Sequence, residues 1–394
     1  ITADDISRDL IHFIAKSPST FHAVRGIKAA LLYAGFTEIR EEDTWQIEKG
    51  GKYVVTRNGS ALMAFTVPKE GAEAFHITAS HCDSPTFKIK ENPEIADGPY
   101  VKLNVEGYGG MIMSTWLDWL DRPLSVAGRL LVTENGHLAE KLVAIDGTML
   151  VIPSVAIHMD RSVNQHKEWK VQKDMLPLYG MTGAKTPFMD VIAAAAKVKA
   201  EDILAHDLIL YSRVPAAIWG EEREFISSPK LDDLQCAFAC FRGFTQGQKE
   251  KYISVYALFD NEEVGSATSQ GAGSTFLANT LERLARSLGY SYDETMAMIA
   301  RSFMISADNA HSVHPNHPEY ADPVNRPVIN GGIVIKYSAA QKYATNAFSA
   351  AYFKKLCKDH DIPTQTFTNH SDNPGGSTLG NISNTVIAMP TVDI

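Results

Sequence analysis

The 394 residues are 45% hydrophobic and 21% charged, with 37 Lys and Arg against 46 Asp and Glu, a formal net charge of -9. Such a chain buries more than one core, so two domains are expected, and its acidic balance speaks against a nucleic-acid footprint or a polybasic membrane anchor. Four cysteines without a C-x-x-C pair, no secretory segment and no apolar run of the roughly 18 residues that span a bilayer predict a cytoplasmic, soluble protein whose partner is small or peptidic.

Ile6, Leu10, Ile11 and Ile14 share one face of a helix predicted over residues 4–15, and Ser19 is placed to cap a second helix ending at Gly35. Ala74 to Ser80 reads as a short strand that stops at His81-Cys82-Asp83-Ser84-Pro85, since Pro cannot extend a ladder. From Glu91 to about Phe225 the texture becomes short alternating runs, among them Tyr100 to Val105, Leu124 to Thr133 and Leu142 to Val151. Longer patterns then return. Tyr252 to Phe259 is nearly continuous in apolar residues, as in a central parallel strand, and helices are expected at about 275–288, 293–302 and 344–358. The organisation predicted is a discontinuous α/β domain, residues 1–90 and 227–394, interrupted by a β-rich domain at 91–226.

The chemistry gathers where strands end, the place where open α/β sheets bind ligands. Asp260-Asn261-Glu262-Glu263 follows the apolar strand, and two adjacent glutamates leaving an extended strand point to opposite sides. One could bind a metal while the other serves as general base; a solvated acidic turn is the plainer alternative. His81-Cys82-Asp83 pairs a candidate ligand with a carboxylate able to orient it, although H-x-D alone also suits a structural histidine. Asp232 and Asp233 open a helix in Lys230-Leu231-Asp232-Asp233-Leu234, where capping acids are ordinary. Asp308, in Ser306-Ala307-Asp308-Asn309-Ala310-His311, follows another apolar run and could be a turn residue or a ligand. Imidazole and carboxylates together make a donor set for zinc, cobalt or manganese.

Taken in order, His-x-Asp, Leu-Asp-Asp, Asp-x-Glu-Glu-Val-Gly and Ser-Ala-Asp-x-Ala-His resemble the aspartyl aminopeptidase family, which includes vacuolar aminopeptidase I. The resemblance covers nearly the whole chain. It extends to Val105-Glu106-Gly107-Tyr108-Gly109-Gly110, Asp121-Arg122-Pro123-Leu124-Ser125 and Ile152-Pro153-Ser154-Val155-Ala156-Ile157-His158. It implies a metal-dependent exopeptidase-like α/β catalytic domain with an inserted β-rich dimerisation domain, in a dodecamer built from dimers. It also implies two divalent ions: His81 and Asp308 would hold one, Glu263 the other, and Asp232 would bridge them. Glu262 would be the general base and Asp83 would orient His81. His158 would reach a neighbouring subunit's site as an oxyanion donor. His311, Lys336 and Tyr343 would line the substrate pocket, with Lys336 favouring an acidic first residue.

The expected activity is removal of N-terminal residues, acidic ones first, from peptides. A broad leucine-type aminopeptidase, a deacylase or carboxypeptidase with the same kind of site, and a non-enzymatic assembly subunit are the alternatives. The family's last ligand is a histidine in a Met-His-Ser segment just after Thr-Val-Asp-Ile, where this sequence stops at Ile394, and His370 stands at no ligand position of the family. A missing C-terminal stretch is therefore expected, and the start at Ile1 rather than Met agrees with incomplete coverage.

Overall fold

The computed structural model describes residues 2–109, 118–165, 167–183, 186–247 and 251–394; Gly110 of the quoted Val105 to Gly110 motif lies outside them. Helices Ala3–Ala15 and Thr20–Tyr33 lead into strands β1 (Thr37–Glu38), β2 (Lys52–Arg57), β3 (Ala61–Thr66) and β4 (Phe75–His81). Eight further strands follow: β5 (Thr86–Asp97), β6 (Tyr100–Tyr108), β7 (Leu124–Glu134), β8 (His137–Ala144), β9 (Leu178–Met181), β10 (Ile203–Ser212), β11 (Ala217–Trp219) and β12 (Phe225–Ser227). After helix Leu231–Gln246 come β13 (Ile253–Phe259), β14 (Phe303–Ser306), β15 (Ile333–Tyr337), β16 (Thr364–Thr368) and β17 (Thr391–Asp393). Among the described residues no helix is long and apolar enough to cross a membrane.

The chain divides into two compact units. One comprises Val24–Asp83 and Lys230–Ile394, the other Ile1–Ala23 and Ser84–Pro229. The first is built on a seven-stranded sheet in the order β1-β2-β3-β13-β4-β14-β17. Its half from β13 to β17 is parallel, with Phe259 in register with His81 and Ser306 with both Ala79 and Asp393. That register brings the carboxyl ends of β4, β13, β14 and β17 to one edge. The strands are long enough in apolar residues to be covered on both faces, as parallel sheets require. Phe65, Phe75, Ile77, Val255 and Phe259 pack with Phe276, Leu281 and Leu284 of helix Phe276–Ser287 in one core. Tyr256 stacks at 6.0 Å on Phe244 of helix Leu231–Gln246. Each such fully buried aromatic contributes about 1.5–3 kcal/mol of transfer free energy. β15 and β16 form a separate parallel pair.

The second unit carries a six-stranded antiparallel sheet in the order β8-β7-β10-β5-β6-β9, and the hairpin of β11 with β12. Its core is formed by residues such as Phe87, Leu103, Leu124, Leu130, Phe188, Leu208 and Leu210. The N-terminal helix groups with this unit. Asp4 pairs with Arg223 at 3.0 Å, and Arg129 lies 4.3 Å over the Phe21 ring. The run Leu142 to Val151 is not one strand: the ladder is β8, His137–Ala144, and Leu150 to Ile152 make only isolated bridges. Asp146 and Gly147, with φ +129 at the glycine, turn the chain between them.

Candidate metal centre and active site

His81 is the last residue of β4 and is wholly buried. Its Nδ1 meets both the carbonyl and the Oδ1 of Asp83 at 3.1 Å, which leaves Nε2 pointing the other way. Around Nε2 stand Asp232 Oδ1 at 3.3 Å, Glu262 Oε2 at 3.7 Å, Asp308 Oδ1 at 3.7 Å and Asp233 Oδ2 at 3.8 Å. Nε2 nevertheless makes no formed hydrogen bond, and neither do the buried Asp233 Oδ1 and Glu263 Oε1. Ligand atoms of His81, Asp232, Asp233 and Asp308 lie within 4.8 Å of one another, as do those of His81, Glu262 and Glu263.

Each element is shaped to deliver its carboxylate. Asp83 accepts the backbone N–H groups of Glu262 and Glu263, both at 3.1 Å, and so joins the turn after β13 to the end of β4. That turn is not extended. Glu262–Val264 is a single 3₁₀ turn between Asn261 at φ 60 and Gly265 at φ 97, so both glutamate side chains face His81 rather than opposite sides. Thr268 and Gln270 clamp Asn261 Oδ1 at 2.8 and 2.7 Å, fixing the turn's left-handed entry. Asp232 and Asp233, joined by a cis peptide bond, leave helical φ/ψ at the start of Leu231–Gln246, so neither acts as a simple capping acid. Asp232 is the exposed member, its side chain 53% accessible, whereas Asp233 is buried and accepts the His81 N–H at 3.1 Å.

So many carboxylates in one buried place disturb each other's protonation. Burial pushes Glu263 up to about 9 from 4.5, and Glu262 to about 7, with neighbouring acids raising both and the His81 charge opposing. Asp260, buried beside Asp83, is raised to about 7, and Asp233 well above the ordinary carboxylate range. Burial alone would lower the His81 pKa, but the surrounding carboxylates of Asp233, Asp232, Asp308 and Asp83 hold it well above 6.5. Asp308 moves the other way, because His81, Lys336 and Thr378 overcome its burial.

The three expected pocket residues lie around Phe367 of β16, which sequence reasoning did not single out. The Phe367 ring is 6.4 Å from those of both His311 and Tyr343, and Lys336 Nζ lies 5.7 Å over Tyr343. Lys336 is not solvated. It is buried and donates to the carbonyls of Asp308 at 2.6 Å and Asn309 at 3.3 Å. His158 belongs to the other unit, on an exposed turn. His370 is in neither carboxylate–imidazole group; its Nδ1 accepts the Asp372 N–H at 3.2 Å. Asp233 and Thr378, whose Oγ1 donates to Asp308 Oδ2 at 2.7 Å, were not foreseen as part of the site. The doubled aspartate was the only signal for the former.

A family profile described as aminopeptidase I zinc metalloprotease (M18) matches residues 13–394. The chain belongs to the M18 aminopeptidase family. It is 46% identical over 397 residues to a probable M18 family aminopeptidase 2 of Clostridium novyi, covering 98% of this chain and 91% of that protein. It is 35% identical to aspartyl aminopeptidase 4 of Saccharomyces cerevisiae, covering 99% and 88%. The solved S. cerevisiae mApe1 dodecamer superposes with a TM-score of 0.86 at 26% identity, covering 99% of this chain and 89% of that one. This M18 aminopeptidase is accordingly a metal-dependent hydrolase that releases residues from peptide N-termini.

The residues present suit the family's metal. A buried imidazole nitrogen and two buried carboxylate oxygens without hydrogen-bond partners, gathered with further carboxylates, form an incomplete polar cluster that a divalent cation would satisfy. The same cluster sets a pH dependence. A carboxyl or imidazole whose folded pKa is raised contributes stability below its unfolded pKa and loses it as pH rises through the folded one. Glu263, Glu262 and His81 all have this sign, whereas the lowered Asp308 contributes equally at any pH well above 3.8. Chelator-treated protein should therefore unfold at a lower temperature at pH 8.5 than at pH 6. Zinc should remove most of that difference, and Glu263→Gln should flatten it; a chelated protein that gains stability over this range would contradict the assignment.

Proposed function

We propose that the site holds two divalent ions, zinc in the first instance with cobalt or manganese as alternatives, and that it removes acidic N-terminal residues in preference to others. The carrying observation is His81 Nε2, hydrogen-bonded to nothing yet faced by four carboxylate oxygens within 3.8 Å. In this reading His81 and Asp308 would hold one ion and Glu263 the other, and Asp232 would serve both. Asp233, which accepts the His81 backbone N–H, adds a further buried carboxyl group to the site. The ions would supply Lewis-acid polarisation of a water and of the scissile carbonyl.

The protein's own groups do the rest. Glu262, on the rim of the cluster with its side chain 11% accessible, takes a proton from the attacking water and returns it to the leaving amine. Asp83 keeps the imidazole turned so that Nε2 faces inward, and simultaneously holds the Glu262–Glu263 turn. The surplus of carboxylates favours a free, protonated α-amino group, which is why ends rather than internal bonds are cut. For acidic selectivity the support is the buried cation of Lys336 beside Tyr343, together with the name of the yeast relative. We further infer assembly into dimers through the β-rich residues 91–226, with His158 donating to a neighbouring subunit's oxyanion, and into a dodecamer, the assembly of the solved yeast mApe1 structure. Four free cysteines suit a reducing compartment, and the cytoplasm is the proposed location.

Glu262→Gln should retain its metals and lose about 10²-fold or more in turnover, since only the proton acceptor is gone. Asp232→Ala should instead lose metal by elemental analysis; full occupancy in that variant would remove Asp232 from its bridging place.

Lys336→Ala tests selectivity through a ratio, because the change also removes a donor from the Asp308 loop. The preference for Asp- over Leu-initiated substrates should shrink, and an intact enzyme that favours Leu would establish the broad leucine-type activity instead.

Mixing His158→Ala with Glu262→Gln protein under subunit exchange should recover activity, because one site of each mixed dimer is then complete. No recovery despite demonstrated exchange would rule out a shared site. Loss of one oxyanion donor is expected to cost about 10² to 10³ in turnover in the single variant.

A further inference from the structure

Asp308 is held at three of its four polar groups. Its N–H donates to the Ile394 carbonyl at 3.1 Å, its own carbonyl accepts Lys336 Nζ at 2.6 Å, and its Oδ2 accepts the Thr378 hydroxyl at 2.7 Å. Only Oδ1 remains directed at His81 Nε2, 3.7 Å away. Thr378 is 2% exposed and immediately precedes helix Leu379–Ser383, where its backbone N–H donates to Asn381 Oδ1 at 3.2 Å. The approach of this helix start to the strand ends depends on Gly380. A Cβ there would lie 2.5 Å from Asp393 Oδ1 and 2.7 Å from Ser306 Oγ, inside van der Waals contact with both. The packing thus holds the hydroxyl proton of Thr378 on one oxygen of Asp308, while the hydroxyl oxygen accepts from the Asn381 backbone in a capping box.

We propose that Thr378 is a positioning residue that fixes Asp308 as a one-oxygen ligand and so keeps the coordination number of that ion low. The inference rests on reading Asp308 as a ligand. A carboxylate free to rotate can present both oxygens, which suits larger, hard, highly coordinated ions such as calcium; a carboxylate with one oxygen taken suits zinc or cobalt. The hydrogen bond also orders the ligand before the ion arrives, so less freedom is lost on binding.

The test uses the full chain and reads metal binding rather than activity. Zinc affinity of each equivalent would be measured by competition with a chromophoric chelator, and the visible absorption of the cobalt-loaded protein recorded, for Thr378→Val, Thr378→Ser, Asn381→Ala and Asp308→Asn. Thr378→Val should weaken one equivalent by about 10- to 100-fold and lower the cobalt absorptivity as the coordination shell expands. Thr378→Ser should restore both. Wild-type affinity and spectrum in Thr378→Val would overturn the proposal, as would a serine variant as impaired as the valine one. An equal effect in Asn381→Ala would also overturn it, by assigning the loss to the helix start rather than the hydroxyl. Unchanged binding of both equivalents in Asp308→Asn would instead remove Asp308 as a ligand and, with it, the premise.

Discussion

The carboxylate of Asp83 is the constraint on which the site depends. Through one side chain it sets the imidazole of His81 and accepts two consecutive backbone N–H groups from the turn that follows the neighbouring strand. Parallel pairing of β4 with β13 brings those two chain ends side by side, but pairing stops at Phe259 and His81. Beyond that register nothing in the sheet would fix where Glu262 and Glu263 go. A buried carboxylate accepting several N–H groups is strongly bound and costly to leave unmatched, so it closes the gap that the ladder leaves.

Around this anchor the protein assembles a group of like charges that it could not stabilise by packing. Asp233 is buried and Glu263 half-buried among other acids, each with one buried oxygen that no donor reaches. Such an arrangement is unfavourable for the folded chain taken alone, since desolvation and mutual repulsion both oppose ionisation. The surrounding core carries that cost. The apolar side chains of β3, β4 and β13 and the phenylalanine residues packed with them carry no titrating group, and the site sits at the carboxyl ends of β4 and β13.

Much of this was legible beforehand because strand ends can be recognised from apolar runs that stop at polar residues. His81, Asp308 and the Asp260 to Glu263 segment were found that way, and the order of the motifs carried the family. What failed were matters of local geometry. The Glu262–Val264 turn reads as a continuation of a strand, because only the left-handed conformations at Asn261 and Gly265 reverse it, and Asn is a weak signal for that. Asp233 reads as a capping acid because the departure from helical φ/ψ at Asp232 and Asp233 has no composition of its own. The apolar face of Ala3–Ala15 states that this helix packs but not on which unit; in the structure it groups with the β-rich one, where Asp4 pairs with Arg223. Lys336 alternates within a strand as a solvated lysine would; its burial follows from carbonyls of a loop nearly thirty residues away in sequence.

That lysine ties two properties together which an engineer would prefer to keep apart. Burial opposes its charge, yet Asp308, with Tyr343, Cys236 and Asp393, holds its pKa above the ordinary lysine value, so it remains a cation inside the protein. Its ammonium is also the donor for the carbonyls of Asp308 and Asn309. Shortening the side chain strands those carbonyls at about 1–3 kcal/mol each if water cannot replace the donor, in the loop that presents Asp308. If Lys336 selects the substrate as proposed above, retuning the pocket at residue 336 therefore disturbs the loop that carries Asp308 as well.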